Sequence, residues 1–276
     1  EADMNKPTGE LSLVFSRKDN GRTHLSRQYF KLPLQIMMPH YQEEDGTAFV
    51  YFLNPGGGVL QHDRLLTEVT VEDGADVFIT TPSSTKFYRM DEGHAEVENI
   101  FSVGSGATLE YLPEYNVPFA QSSSFQDSVF MLKNDSVLIA SDIVTAGRTS
   151  RNEIFDYDIY SSKTRIYIED ELKLYDSCRM TPGTMDPARR GLLEGKLSSG
   201  TVYAYAPVIP EGICGRLNAA EHDSDIEAAA GLVDGRIITV RFTGTDMIAI
   251  KDFVYSIWDI LRRELIGKGA VRVRKY

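Results

Sequence analysis

The sequence predicts a mainly β protein, built as stacked or sandwich-like antiparallel β layers with a solenoid-like repeat. About two helices accompany them, the longer one near the carboxy terminus. Over residues 47–176, short runs of β-branched and aromatic residues are punctuated by Gly, Asp and Asn turns, and helical periodicity is nearly absent. The turns recur. Ala75, Ala107, Ser136 and Glu171 each follow a turn directly and stand 32, 29 and 35 positions apart, near the period expected of stacked layers. Any all-β chain places turns often, so this spacing leaves both a solenoid and a sandwich open. Over residues 246–266 the pattern changes to an i, i+3/i+4, i+7 apolar stripe, the mark of an amphipathic helix.

The elements follow in chain order. Residues 69–71 and 75–79 flank Glu72-Asp73-Gly74 and read as a hairpin-like strand, turn, strand. Residues 100–103 and 107–111 do the same around Gly104-Ser105-Gly106, residues 129–132 and 136–139 around Lys133-Asn134-Asp135, and residues 165–168 and 171–174 around Glu169-Asp170. A short helix is expected within residues 212–221. Asp234-Gly235 sits between two β-rich runs and is the strongest hairpin signal in the chain, because both residues tolerate positive φ. The stripe of Ile250, Phe253, Val254, Ile257, Trp258, Leu261 and Leu265 then predicts a helix that covers the sheet. Asp246 at its start, Arg262 and Arg263 in its last turns and Gly267 beyond match dipole and capping preferences. A single domain over 1–276 is expected, with a β-rich body over about 8–210 and a hairpin-plus-helix part over about 211–276. The chain opens Glu1-Ala2-Asp3, and these first residues are set aside as trimmed or appended.

Composition narrows the function. The 276 residues carry 29 Lys+Arg against 40 Asp+Glu, a formal charge of −11, which argues against a phosphate-tracking nucleic-acid binder. Basic residues are dense only at the end (Arg262, Arg263, Lys268, Arg272, Arg274, Lys275), which reads as a solvated helix end and tail. Cys178 and Cys214 are the only cysteines, so neither a disulfide framework nor a thiolate zinc site is supported. No apolar run approaches the ~18 residues of a membrane span and no signal-like start is present, so a soluble cytoplasmic protein is expected.

Enzymatic signatures fail on inspection. Gly104-Ser105-Gly106 lacks the spacing of a nucleophile elbow, Gly56-Gly57-Gly58 does not continue as a dinucleotide fingerprint, and Gly195-Lys196-Leu197 is not a phosphate loop. The five histidines never fall at i, i+3 or i, i+4, so no helix-borne metal pair exists. Asp142 and Glu153 keep one enzymatic alternative open, a carbohydrate-active β protein with paired carboxylates, which needs both carboxyls on one cleft. A passive β interaction module is a further alternative.

Three segments stand out from plain turns: residues 54–64 with Gly56, Gly57 and Gly58; the hydroxyl-rich residues 80–89, which include Thr85 and Lys86; and residues 141–155 with Asp142, Gly147, Arg148 and Glu153. In this order, N-P-G-G-G-x-x-x-x-D-R at 54–64, T-K-F-Y-R at 85–89, Leu-Glu-Tyr-Leu-Pro at 109–113, Gly147-Arg148 followed by Glu153 and Phe155, and Thr-Val-Arg-Phe at 239–242 resemble the urease accessory protein UreD (UreH) family across nearly the whole chain. The resemblance implies a non-enzymatic maturation factor that binds the urease apoprotein and a UreF-type partner. That partner recruits a UreG-type GTPase, and together they bring nickel to the urease site. It also implies no tightly bound cofactor and a water-filled passage for Ni²⁺ in transit, at Asp63, Thr85, Asp142 and Asp176. Oxygen donors hold Ni²⁺ weakly, whereas imidazole and thiolate clusters would trap it. Asp63 and Asp142 have a second reading as caps of backbone donors in turns, and Arg148 with Glu153 as an internal ion pair supporting its loop.

Overall fold

The computed structural model describes residues 6–273. The chain winds between two facing sheets. It runs through β1 (Gly9–Arg17), β2 (Thr23–Lys31), β3 (Gln35–Ile36), β4 (Ala48–Leu53), β5 (Arg64–Val71), β6 (Asp76–Thr80), β7 (Thr85–Phe87), β8 (Ala95–Val103) and β9 (Thr108–Tyr111). It continues through β10 (Asn116–Pro118), β11 (Ser123–Leu132), β12 (Val137–Thr145), β13 (Ile159–Ile168), β14 (Glu171–Met180) and β15 (Ser198–Tyr205). Last come α1 (Ile213–Asn218), β16 (Glu227–Val233), β17 (Ile237–Gly244) and α2 (Met247–Leu265). One sheet has the order β14-β13-β11-β8-β5-β1-β2; the other has β16-β17-β15-β12-β9-β6-β4-β3, with β10 beside β12 and β7 beside β10. The stack of coils is solenoid-like, as the turn spacing suggested.

Two details of the expectation change. The units read as hairpins at residues 69–79, 100–111 and 129–139 are corners: β5, β8 and β11 belong to one sheet and β6, β9 and β12 to the other. Successive coils therefore pair parallel in the middle of the stack (β5 with β8, β8 with β11, β6 with β9, β9 with β12). Antiparallel pairing holds at the ends, in β1 with β2, β13 with β14, and β12 through β15 and β17 to β16. The steps of 32 and 29 are true coil repeats, since Asp76 lies beside Thr108, and Thr108 beside Val137. The step to Glu171 is not a repeat, because β13 and β14 form a hairpin within one sheet.

Alternation fills the space between the sheets. Leu11, Leu13, Val69, Phe101, Phe130 and Ile166 face Val77, Leu109 and Leu138 in one buried cluster. On the outer face of the second sheet, Phe78, Ile139, Val202 and Ile238 pack against Ile250, Phe253, Ile257, Trp258 and Leu261 of α2. The predicted stripe is thus core packing. Asp246 caps α2 by accepting from the Ile248 amide, and the Asp234-Gly235 turn has φ of 50° and 68°.

The basic cluster at the chain end is not uniformly solvated. Arg262 has no exposed surface; it pairs with Glu43 at 2.6 Å and lies 3.1 Å from Glu110, while also donating to the Gly269 carbonyl. A fully buried guanidinium must be paired, and these carboxylates are supplied by the loop before β4 and by β9. Arg263 remains exposed beside Asp259, whereas Lys268 pairs with Asp45. Arg274 and Lys275 lie outside the described residues.

This cluster has a pH signature. Burial pushes the Glu110 carboxyl up to about 7, against the pull of Arg262 and the Trp258 indole N–H. The folded state therefore holds this proton more tightly than an unfolded chain, whose carboxyl titrates near 4.5. The stabilisation is present below about 4.5 and fades as pH rises through about 7. Urea midpoints followed by Trp258 fluorescence should fall for this reason across that window, and Glu110→Gln should flatten the change.

Candidate functional site

Registers inside the first sheet place unlike rows side by side. Val69, Phe101, Phe130, Ile166 and Leu174 form an apolar row along the stack. The neighbouring row is polar throughout: Thr67, Asn99, Ser128, Thr164 and Asp176. Beyond it lie Leu65, Val97, Gln126, Ser162 and Cys178. Across the interior, the second sheet aligns Asp142, Thr201 and Arg241. A polar band thus follows the stack axis beside the apolar row, and the molecule leaves space there.

Two cavities occupy this band. One, about 450 Å³, lies under the glycine loop and is lined by Asn54, Gly57, Gly58, residues 81–86, Thr67, Asn99, Ser128 and Asn116, reaching Asp142 and Ser162 at its inner end. The other, about 750 Å³, lies toward the β14 and β16 edges and is lined by Asp142, Ser162, Thr164, Asp176, Cys178, Tyr203 and Arg241. Asp142 and Ser162 belong to both walls.

Backbone demands fix the outer wall. Asn54 accepts from the Gly56 amide at 3.0 Å and donates to the Gly58 carbonyl at 2.9 Å. Gly57 has φ of 82°. Gly58 lies so close to β7 that an added Cβ would sit 2.5 Å from the Tyr88 ring and 2.6 Å from the Lys86 carbonyl. This approach lets the Val59 amide reach the Lys86 carbonyl and the Tyr88 amide the Val59 carbonyl. Gly58→Ala should therefore cost about 1–3 kcal/mol through overpacking, visible as a lower urea midpoint.

Of the four proposed passage residues, three line the cavities. Thr85 lines the glycine-loop cavity and Asp176 the edge cavity, with Asp142 between them. Asp63 is elsewhere: its carboxylate accepts from the Leu60 amide at 2.8 Å and from the Thr8 hydroxyl at 3.3 Å, and it lines neither cavity. The turn-capping reading fits Asp63. It does not fit Asp142, whose donors are side chains. Its Oδ1 accepts from the Asn116 amide at 3.2 Å and its Oδ2 from the Ser162 hydroxyl, while the Tyr160 hydroxyl accepts from Asn116 at 3.0 Å and Gln126 at 2.8 Å.

Among the described residues no cation pairs with Asp142; the nearby guanidinium, Arg241, is held by Asp176 at 2.9 Å. Burial therefore raises the Asp142 carboxyl above the usual range, and the Asp176 charge adds to this, against the hydrogen bonds from Ser162 and Asn116. Asp176 also accepts from the Tyr203 hydroxyl at 2.8 Å. Burial and the two aspartates push the Cys178 thiol up to about 11, so it is protonated at neutral pH and a poor metal ligand. Among the described residues, no three His, Cys, Asp or Glu side chains converge as a metal cage. The band offers oxygen donors spread along a path.

The third unusual segment divides. Its first residues form β12 and carry Asp142. Gly147, Arg148 and Glu153 form a separate knot: Arg148 donates to Glu153, with its Nε at 2.7 Å, and stacks 3.9 Å over the Phe119 ring. Glu153 also accepts from the Ala120 amide. Gly147, at φ 124°, lies where a Cβ would meet the Glu153 and Pro118 carbonyls at 2.8 and 3.0 Å. Neither Arg148 nor Glu153 lines either of these two cavities.

Thr67, Asn99, Ser128, Thr164 and Ser162 were not singled out from sequence. A signal existed, because Thr67, Asn99 and Ser128 are separated by the same steps of 32 and 29 as the turns.

Comparison with known proteins bears on this architecture. A family model described as UreD urease accessory protein matches residues 7–275. The urease accessory protein UreD of Cenarchaeum symbiosum (strain A) is 32% identical over 269 residues, covering 94% of this chain and 93% of that protein. The protein of the same name from Haloarcula marismortui is 32% identical, covering 97% and 90%. That of Sporosarcina pasteurii is 28% identical, covering 86% and 94%.

Proposed function

We propose, from the premise that the chain belongs to the UreD urease accessory protein family, that it is a non-enzymatic scaffold of urease maturation whose interior passes nickel toward the apoenzyme. The observation that carries this is the polar band with its two cavities meeting at Asp142. Divalent nickel is cargo here. It must dwell briefly at each point, and hydroxyls, amides and single carboxylates give a weak, exchangeable environment in which it keeps much of its water. Thr85, Asp142 and Asp176 are the proposed contact points among the residues expected from sequence. Thr67, Asn99, Ser128 and Thr164 extend the path.

In this reading the chain binds the urease apoprotein and a UreF-type protein, and through the latter a UreG-type GTPase that supplies nucleotide hydrolysis. Its setting is the cytoplasm, where the two free thiols stay reduced. No helix among the described residues is long and apolar enough to cross a membrane. The carbohydrate-enzyme alternative gains no support, since Glu153 is committed to Arg148 outside the cavities and does not share a cleft with Asp142.

A pull-down of the tagged chain from cells expressing the urease operon tests the scaffold. Apo-urease and both accessory partners should co-purify. Recovery of the chain without any of them would overturn the reading.

A further inference from the structure

Asp142 and Ser162 line both cavities. Asp142 on β12 and Ser162 on β13 reach toward each other from opposite sheets, and the bond between them crosses the polar band where the cavities meet. On one side the floor is Thr67, Asn99 and Ser128; on the other it is Thr164 and Asp176. The band is polar on both sides of this hydrogen bond.

We propose that the Asp142–Ser162 hydrogen bond is a gate between the two cavities, opened when a hydrated divalent cation takes Asp142 Oδ2 from the Ser162 hydroxyl. This deepens the passage reading above and rests on it. The geometry favours exchange at this point. Asp142 is a buried carboxylate held by the neutral groups Asn116, Ser162 and Tyr160, so a cation arriving there meets a carboxylate that is paired with no cation among the described residues. Ser162 loses one acceptor when displaced, and its hydroxyl can turn to water in either cavity. Asn116 is tied to the Tyr160 hydroxyl and keeps Asp142 Oδ1 in place while Oδ2 is exchanged. Ser162 is thus a positioning residue that sets when the carboxylate becomes free.

The groups facing Asp142 are Tyr160 on β13, Asp176 and Cys178 on β14, Tyr203 on β15, Tyr111 on β9 and Arg241 on β17. Lys86 and Glu114 line the far wall of the glycine-loop cavity. At neutral pH Tyr160, Cys178, Tyr203 and Tyr111 hold their protons, and Arg241 is matched by Asp176.

The test uses the accessory complex carrying the full chain, with Ni²⁺ as probe and its initial rate of transfer into apo-urease as readout, from pH 6 to 8. Ser162→Ala should transfer roughly tenfold faster than wild type, the order expected from losing one hydrogen bond to a charged group. Ser162→Thr, which keeps the hydroxyl, should stay at the wild-type rate, and Ser162→Leu should slow transfer. Ser162→Ala no faster than wild type, with Ser162→Leu slow, leaves a passage without a gate and overturns this proposal alone. Wild-type rates in both Ser162→Ala and Ser162→Leu overturn the passage reading with it. Complex stoichiometry measured on each sample establishes that the variants are folded.

Discussion

Arg262→Met is expected to lower stability by about 3–5 kcal/mol, the largest effect of any single substitution in this chain, because it strips the cation from a buried ionic cluster. Glu43 and Glu110 would keep their charges beside α2 with nothing to balance them, and the Gly269 carbonyl would lose its donor. Protonation of Glu110 relieves part of the cost, so the loss should be smaller at pH 5 than at pH 8. Arg262→Met combined with Glu43→Gln and Glu110→Gln should recover most of the stability. Trp258 is the sole tryptophan, and it donates to Glu110, so urea unfolding followed by its fluorescence reports on the cluster directly. Equal midpoints for wild type and Arg262→Met would show that the pair does not hold α2 to the sheet.

The second large effect is functional. Asp142→Leu with Asp176→Leu replaces two of the carboxylates that line the edge cavity by apolar walls of similar size, and urease activity in cells that express this variant should fall below about a tenth of wild type. The step is unfavourable because the cation loses two oxygen contacts inside the protein, and placing an uncompensated charge against buried apolar walls costs on the order of several kcal/mol. The fold should survive. Asp142 leaves neutral donors behind, and Arg241, with its side chain 63% exposed, can turn to solvent when Asp176 is gone. Activity near wild type would remove these residues from the path.

Much of this architecture was legible in sequence, for identifiable physical reasons. Turn residues have local requirements, so Asp234-Gly235, the corners after Val71 and Val103, and the capped stripe of α2 could each be read within a short window. The direction of pairing could not. A strand, a tight turn and a second strand look alike whether the chain folds back on itself, as β13 and β14 do, or turns a corner into the opposite sheet, as β5 and β6 do. Arg262 was read as part of a solvated end because its partners are remote; Glu43 is 219 positions away. Asp63 and Asp142 are the same residue type in motifs of similar appearance, yet one caps a turn beside Leu60 and the other spans two sheets. Only the register distinguishes them. The polar row was within reach, since the coil repeat that aligns Ala75 with Ala107 also aligns Thr67 with Asn99.

The most direct test of the central claim is the nickel content of urease recovered from its accessory complex, measured by atomic absorption for the wild-type chain and for Asp142→Leu/Asp176→Leu, with the amounts of co-purified partners determined in the same samples. The interior-passage account predicts intact complexes with wild-type partner ratios and urease nearly free of nickel in the variant. Full nickel occupancy in an intact variant complex would contradict it.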